Sequence, residues 1–159
     1  MEKIDALPTP KTHSPAAPMR SSWRSLTESS PYGLVTSPII YSGIVPIVLL
    51  DLFATTYQAV CFKSYGLPKV ERRRYFIYDR HRLPYLNLIE RINCEYCAYF
   101  NGVIAYAREV AGRTEQHFCP IRNATQRPAA HDQYKGFEAY GDASGYDKVV
   151  RGQLEKKAP

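Results

Sequence analysis

Residues 33–50 hold no charged side chain, and after Asp51 the apolar run resumes as "LFATTYQAVCF". No other feature limits the fold as tightly, because a segment this apolar has to be covered, by protein or by lipid. Residues 38–62, "PIIYSGIVPIVLLDLFATTYQAVCF", are long enough for a hydrocarbon core, which about twenty residues span. Three features weigh against a clean crossing. Pro46 interrupts the run, Ser42, Thr55, Thr56 and Gln58 add polar groups, and Asp51 costs about 2.5–3.5 kcal/mol at a bilayer centre. The expectation is an in-plane or partly embedded helix pair, or a buried core helix. Asp51, Thr55 and Gln58 recur at i, i+4 and i+7, a polar line on an apolar helix. A carboxylate in such surroundings needs a partner, and Arg108 or His81 is the expected one.

Positive charge follows the apolar run. Beyond the turn "SYGLPKV", the stretch "KVERRRYFIYDRHR" carries much of a formal net charge of +6. Arg72, Arg73, Arg74, Arg80 and Arg82 are predicted to meet an anionic surface, either a cytoplasmic membrane face or a membrane protein. Tyr75, Phe76 and Tyr78 interleave with them, as on a single-strand nucleic-acid surface. No nucleic-acid motif accompanies them, so nucleic acid is not the expected partner. "RYFIYD" itself alternates weakly, as in a short strand or an extended connector.

A long amphipathic helix is predicted next, opened by Pro84, which suits a first turn, and closed near Gly112, which suits a C-terminal cap. At about 100° per residue, Leu86, Ile89, Tyr96, Phe100, Ile104 and Ala107 share the expected core face. Arg91, Glu95, Glu109 and Arg113 share the expected wet face. Glu90, Cys94, Cys97, Asn101 and Arg108 form a narrow stripe at the core's border.

Thiolates one helical turn apart, with a carboxylate one turn earlier, suit a soft or borderline metal. The expected site binds one zinc or iron through Cys94, Cys97 and Cys119, with His117, Glu115 or Glu90 completing the shell. The geometry asks much of the chain. Cys97 to Gly112 climbs about 22 Å, so Cys119 returns only through an extended segment after Gly112 or a break at Asn101-Gly102. A single CxxC lacks the second pair of a zinc ribbon, and buried structural cysteines are the competing reading. In that reading the protein is a metal-free interaction protein, whose basic aromatic surface binds protein, anionic lipid or nucleic acid.

Four cysteines in 159 residues, with no export signal before them, fit reduced thiols. No glycine-rich phosphate loop, nucleophile elbow or HExxH motif indicates a reaction. The segment "ERINCEYCAYFNGVIAYAREVAGRTEQHFCPI" resembles one carried by a family of bacterial proteins without an assigned activity. The likeness covers about residues 38–145, and it implies a bacterial single-domain protein and no particular chemistry. The expected organisation is mainly α: a disordered Pro/Ser-rich tail at 1–31, a small helical domain at 32–125, and a loosely structured extension at 126–159. The expected location is cytoplasmic, peripheral to the inner membrane.

Overall fold

A computed structural model of the chain describes residues 31–83, 86–125, 128 and 130–155. The expected tail, apart from Pro31, and the expected helix start at Pro84 lie outside these residues. The mainly α expectation holds. Among the described residues the only β pairing is a parallel bridge between Ile121 and Glu138.

Helix α1 (Pro31–Ser42) and helix α2 (Ile44–Tyr57) meet at Gly43. Pro46 stands in the first turn of α2, where its missing donor costs no intrahelical bond. Gly43 sits under a close approach, since a Cβ there would lie 3.0 Å from the Tyr96 hydroxyl and 3.4 Å from the Phe100 ring. Helix α2 runs on through a π-turn, Gln58–Phe62, and a last turn, Lys63–Tyr65. Gly66 then takes φ +68°, and the Leu67 amide donates to the Phe62 carbonyl at 2.8 Å, closing the helix as a Schellman turn.

Helix α3 (Leu88–Phe118) starts on a capping box. The Asn87 side chain accepts from the Glu90 amide, and the Glu90 carboxylate accepts from the Asn87 amide, both at 2.9 Å. The helix breaks at neither glycine that the sequence offered as an end. Gly102 lies against the crossing chain, where a Cβ would stand 2.8 Å from the Tyr75 carbonyl oxygen. Gly112 lies under His131 and Gln133, at 2.9 and 2.7 Å from the same imagined atom. Both glycines serve packing, and α3 ends six residues past Gly112.

Helices α2 and α3 run parallel. Asp51 meets Tyr99 and Gln58 meets Tyr106, each 48 positions apart, while Tyr41 meets Asn93 52 positions apart. Tyr65 packs against His117 at the far end, the rings tilted by 48°. A parallel pair needs a connection that returns the whole length, and residues 66–87 supply it as a crossover. Among its described residues the crossover contains two 3-10 turns, Arg72–Arg74 and Arg80–Arg82, and no strand.

The core lies between the pair and this crossover, built on Ala54, Phe62, Val70, Tyr106 and Val110. Its face on α3 follows Tyr99, Val103, Tyr106 and Val110, about 90° from the expected one. Ile104, assigned to the core, is 46 % exposed. The expected wet face is half-buried, and its charges pair: Glu95 meets His81 at 3.0 Å, and Glu109 meets Arg113 at 2.8 Å.

The extension is more structured than its composition suggests. A 3-10 turn at Asp132–Gly136 packs on α3, and helix α4 (Ala143–Glu155) follows, with the Asp142 carboxylate accepting from the Gly145 amide at 2.9 Å.

Candidate functional site

One helical run, Val35–Tyr65, is long and apolar enough to cross a membrane by length and composition, and only 11 % of its most apolar window is buried. The buried positions of α2 and the π-turn are Ile47, Asp51, Ala54, Gln58 and Phe62, a single stripe facing α3. Everything opposite is open. Val45, Leu49, Leu52 and Phe53 are each at least 60 % exposed, and α1 adds Val35 at 75 % and Ile39 at 72 %. An apolar patch of this extent is a surface that something covers.

Of the polar line predicted on α2, Asp51 and Gln58 are buried and Thr55 is exposed, and the partners come from the crossover and from α3. Asp51 Oδ2 accepts from Arg72 at 2.6 Å and from the Tyr99 hydroxyl at 3.0 Å. Its Oδ1 accepts from Arg72 Nε at 3.3 Å and from Thr55 at 3.4 Å. Neither Arg108 nor His81 takes part. Arg108 reaches the Ala130 carbonyl, and His81 reaches Glu95. Hydrogen bonding to Asp51 raises the pKa of Arg72 against the opposing effect of burial. Two turns further, Gln58 donates to the Val70 carbonyl at 3.3 Å and to Tyr106 at 3.2 Å, and accepts from the Val70 amide at 2.7 Å. These contacts clamp the crossover along the apolar helix.

The arginines divide accordingly. Arg72 belongs to the Asp51 pair and lies over the Phe76 ring at 4.0 Å, with its side chain 45 % exposed. Arg74 pairs with Glu71 at 2.5 Å. Arg73, Arg80 and Arg82 are exposed and take no ion-pair partner among the described residues. Two of the run's three aromatic residues turn inward, Tyr75 and Phe76 packing on Tyr106 and Phe76 also on Tyr99, while Tyr78 stays 41 % exposed. Rings packed into a core offer no platform for stacked bases.

The expected metal ligands do not converge within one chain. Cys94 is half-buried and Cys97 exposed, one turn apart, but α3 continues unbroken to Phe118. At 1.5 Å per residue Cys119 stands about 33 Å from Cys97, and the extended return that would have closed the distance does not exist. Glu90 is held in the capping box, Glu115 meets His131 Nε2 at 2.7 Å, and His117 packs between Tyr65 and Phe118. No group of three or more His, Cys, Asp or Glu suited to a metal occurs among the described residues. The separation makes a measurable prediction. Cys94→Ser costs about 1 kcal/mol and Cys119→Ser under about 0.5, and the double variant matches their sum within about 0.5 in urea unfolding. A shared metal gives the opposite pattern, with either single loss as damaging as both.

A second polar cluster docks the extension on α3. His131, buried, places Nδ1 3.1 Å from Gln133 Oε1, and Gln133 donates to Glu109 at 2.8 Å. Burial opposes the charge on Glu109, but hydrogen bonds from Arg113 and Gln133 outweigh it and lower its pKa below the usual carboxylate range. Arg113 also donates to the Pro68 carbonyl at 2.9 Å, tying the crossover to the same cluster. Nothing in the spacing of residues 109–133 signalled this network.

Comparison with protein-family models, curated proteins and solved structures finds no match for the chain.

Proposed function

We propose that this is a membrane-associated helical protein that binds the anionic cytoplasmic face of a membrane through the open face of α1 and α2 and the exposed arginines of the crossover. The observation that carries the reading is the apolar run Val35–Tyr65, covered on one side only. Full burial of a Val, Leu, Ile or Phe side chain is worth about 1.5–3 kcal/mol, so six such residues supply on the order of 10 kcal/mol of gross attraction. Arg73, Arg80 and Arg82 add about 1 kcal/mol each near an anionic surface. The inward packing of Tyr75 and Phe76 favours lipid over single-stranded nucleic acid as the ligand of this basic segment.

Co-sedimentation with phosphatidylglycerol-containing vesicles tests the reading. The full chain is expected to pellet with them, and Arg73→Ser/Arg80→Ser/Arg82→Ser is expected to bind about 100-fold more weakly at low salt, a difference that shrinks as salt rises. A variant that binds as well as the parent chain removes the arginines from the interface.

Zinc or iron is the second reading, in reduced form. Cys94 and Cys97 lie at i and i+3 on α3, a spacing that supports two ligands and leaves the remainder of a shell to a second chain. Elemental analysis of protein purified without chelator tests it: about one metal for every two chains supports the shared shell, and none removes it.

A further inference from the structure

The parallel arrangement of α2 and α3 bears on how the apolar run meets a bilayer. We infer that α1 and α2 lie in the membrane plane rather than crossing it, with their outward face among the acyl chains and the crossover's arginines at the phosphates of anionic headgroups. The inference rests on the membrane association proposed above and adds the orientation and the lipid class.

The argument starts from depth. In a crossing, Asp51, next to the middle of Val35–Tyr65, sits near the bilayer centre. The crossover is pinned there by Arg72 on Asp51, so Glu71, Arg73 and Arg74, all exposed, come to the same depth. Exposed charges at the centre of a bilayer cost about 2.5–3.5 kcal/mol each on insertion scales. Helix α3 runs alongside for the whole length, which brings Arg91, Glu95 and Arg108 into the span as well. Non-helical backbone at that depth also requires cover on every side, and the crossover's second 3-10 turn, Arg80–Arg82, is exposed. Spanning therefore demands that the fold come apart.

Seated in the plane, the same arrangement has no such conflict. The stripe formed by Ile47, Asp51, Ala54, Gln58 and Phe62 keeps its polar groups against protein, while Val45, Leu49, Leu52 and Phe53 face the lipid. The charged crossover lies on the protein side of α2, at the level where an interfacial helix meets headgroups. Helix α2 alone is only weakly amphipathic; the packed assembly is strongly so, because α3 and the crossover cover the Asp51 side of the helix with charged segments.

The test uses the full chain bound from outside to sealed phosphatidylglycerol-containing vesicles. Reporter cysteines at the two ends of the run, Thr36→Cys and Lys63→Cys, are placed singly in a chain whose four native cysteines are serine and whose vesicle binding equals that of the parent. A membrane-impermeant maleimide is expected to label both before detergent is added. Labelling of one end only after detergent overturns the in-plane seat while leaving membrane association intact. Equal binding to vesicles of phosphatidylcholine alone overturns the assignment of anionic headgroups. Absence of binding to either vesicle overturns the membrane reading itself.

Discussion

Gln58→Ala is expected to destabilise the protein by about 3–5 kcal/mol, the larger of the two stability effects considered. Gln58 is buried at the π-turn, and its amide satisfies three groups at once: the Val70 amide, the Val70 carbonyl and the Tyr106 hydroxyl. Truncation leaves all three without their partner in the core, at about 1–3 kcal/mol for each buried group, and leaves a void beside fully buried Phe62 and Tyr106. Gln58→Leu separates the two costs. Leucine fills most of the volume and satisfies none of the polar groups, so it is expected to recover less than half of the loss. Urea unfolding of the two variants measures the difference. A Leu variant close to the parent chain makes Gln58 a space-filler and removes the clamp.

The clamp shows what a periodicity argument reads and what it does not. Asp51, Thr55 and Gln58 stood out because polar residues at helical spacing on an apolar helix share a side, and Asp51 and Gln58 are buried there while Thr55, at its edge, is exposed. Their partners did not stand out. Arg72 is 21 positions from Asp51 and Val70 is 12 from Gln58, on a connector whose path depends on whether α2 and α3 are parallel. The hydrophobic wheel of α3 failed for a related reason. It treats charge as solvent-facing, whereas Arg113 and Glu109 face each other, Gln133 and the Pro68 carbonyl. Gly102 and Gly112 read as breaks because glycine is the usual helix terminator. Here each marks a place where another segment presses on the helix, which composition alone does not reveal. The three-cysteine shell, drawn within one chain, depended on the helix ending or breaking at one of those glycines, and the helix runs on to Phe118. Asn87 and Glu90 went the other way: Glu90 was assigned to a metal, and its spacing from Asn87 was already that of a capping box.

Asp51→Ala is expected to cost about 2–3 kcal/mol, and the way that cost is shared tests how the crossover is held. Both carboxylate oxygens are used: Oδ2 by Arg72 and Tyr99, Oδ1 by Arg72 and Thr55. The Arg72 side chain is 45 % exposed, so solvent screens the ion pair, and the estimate stays below that for a fully buried one. Most of the cost comes from hydrogen bonds lost beside a carboxylate that is itself nearly buried. Asp51→Asn keeps the shape and one good acceptor, and is expected to recover about half. Arg72→Ala removes the same pair together with the stacking on Phe76, so the double variant is expected to lose less than the sum of the singles, by about 1–2 kcal/mol. Strict additivity means the Asp51–Arg72 pair does not hold the crossover, which is then tied by Gln58 and by Arg113 on the Pro68 carbonyl. In that case Arg72 is available to the membrane with Arg73, and vesicle binding of Arg72→Ala falls below that of the parent; with the coupling present, binding follows only the loss of fold.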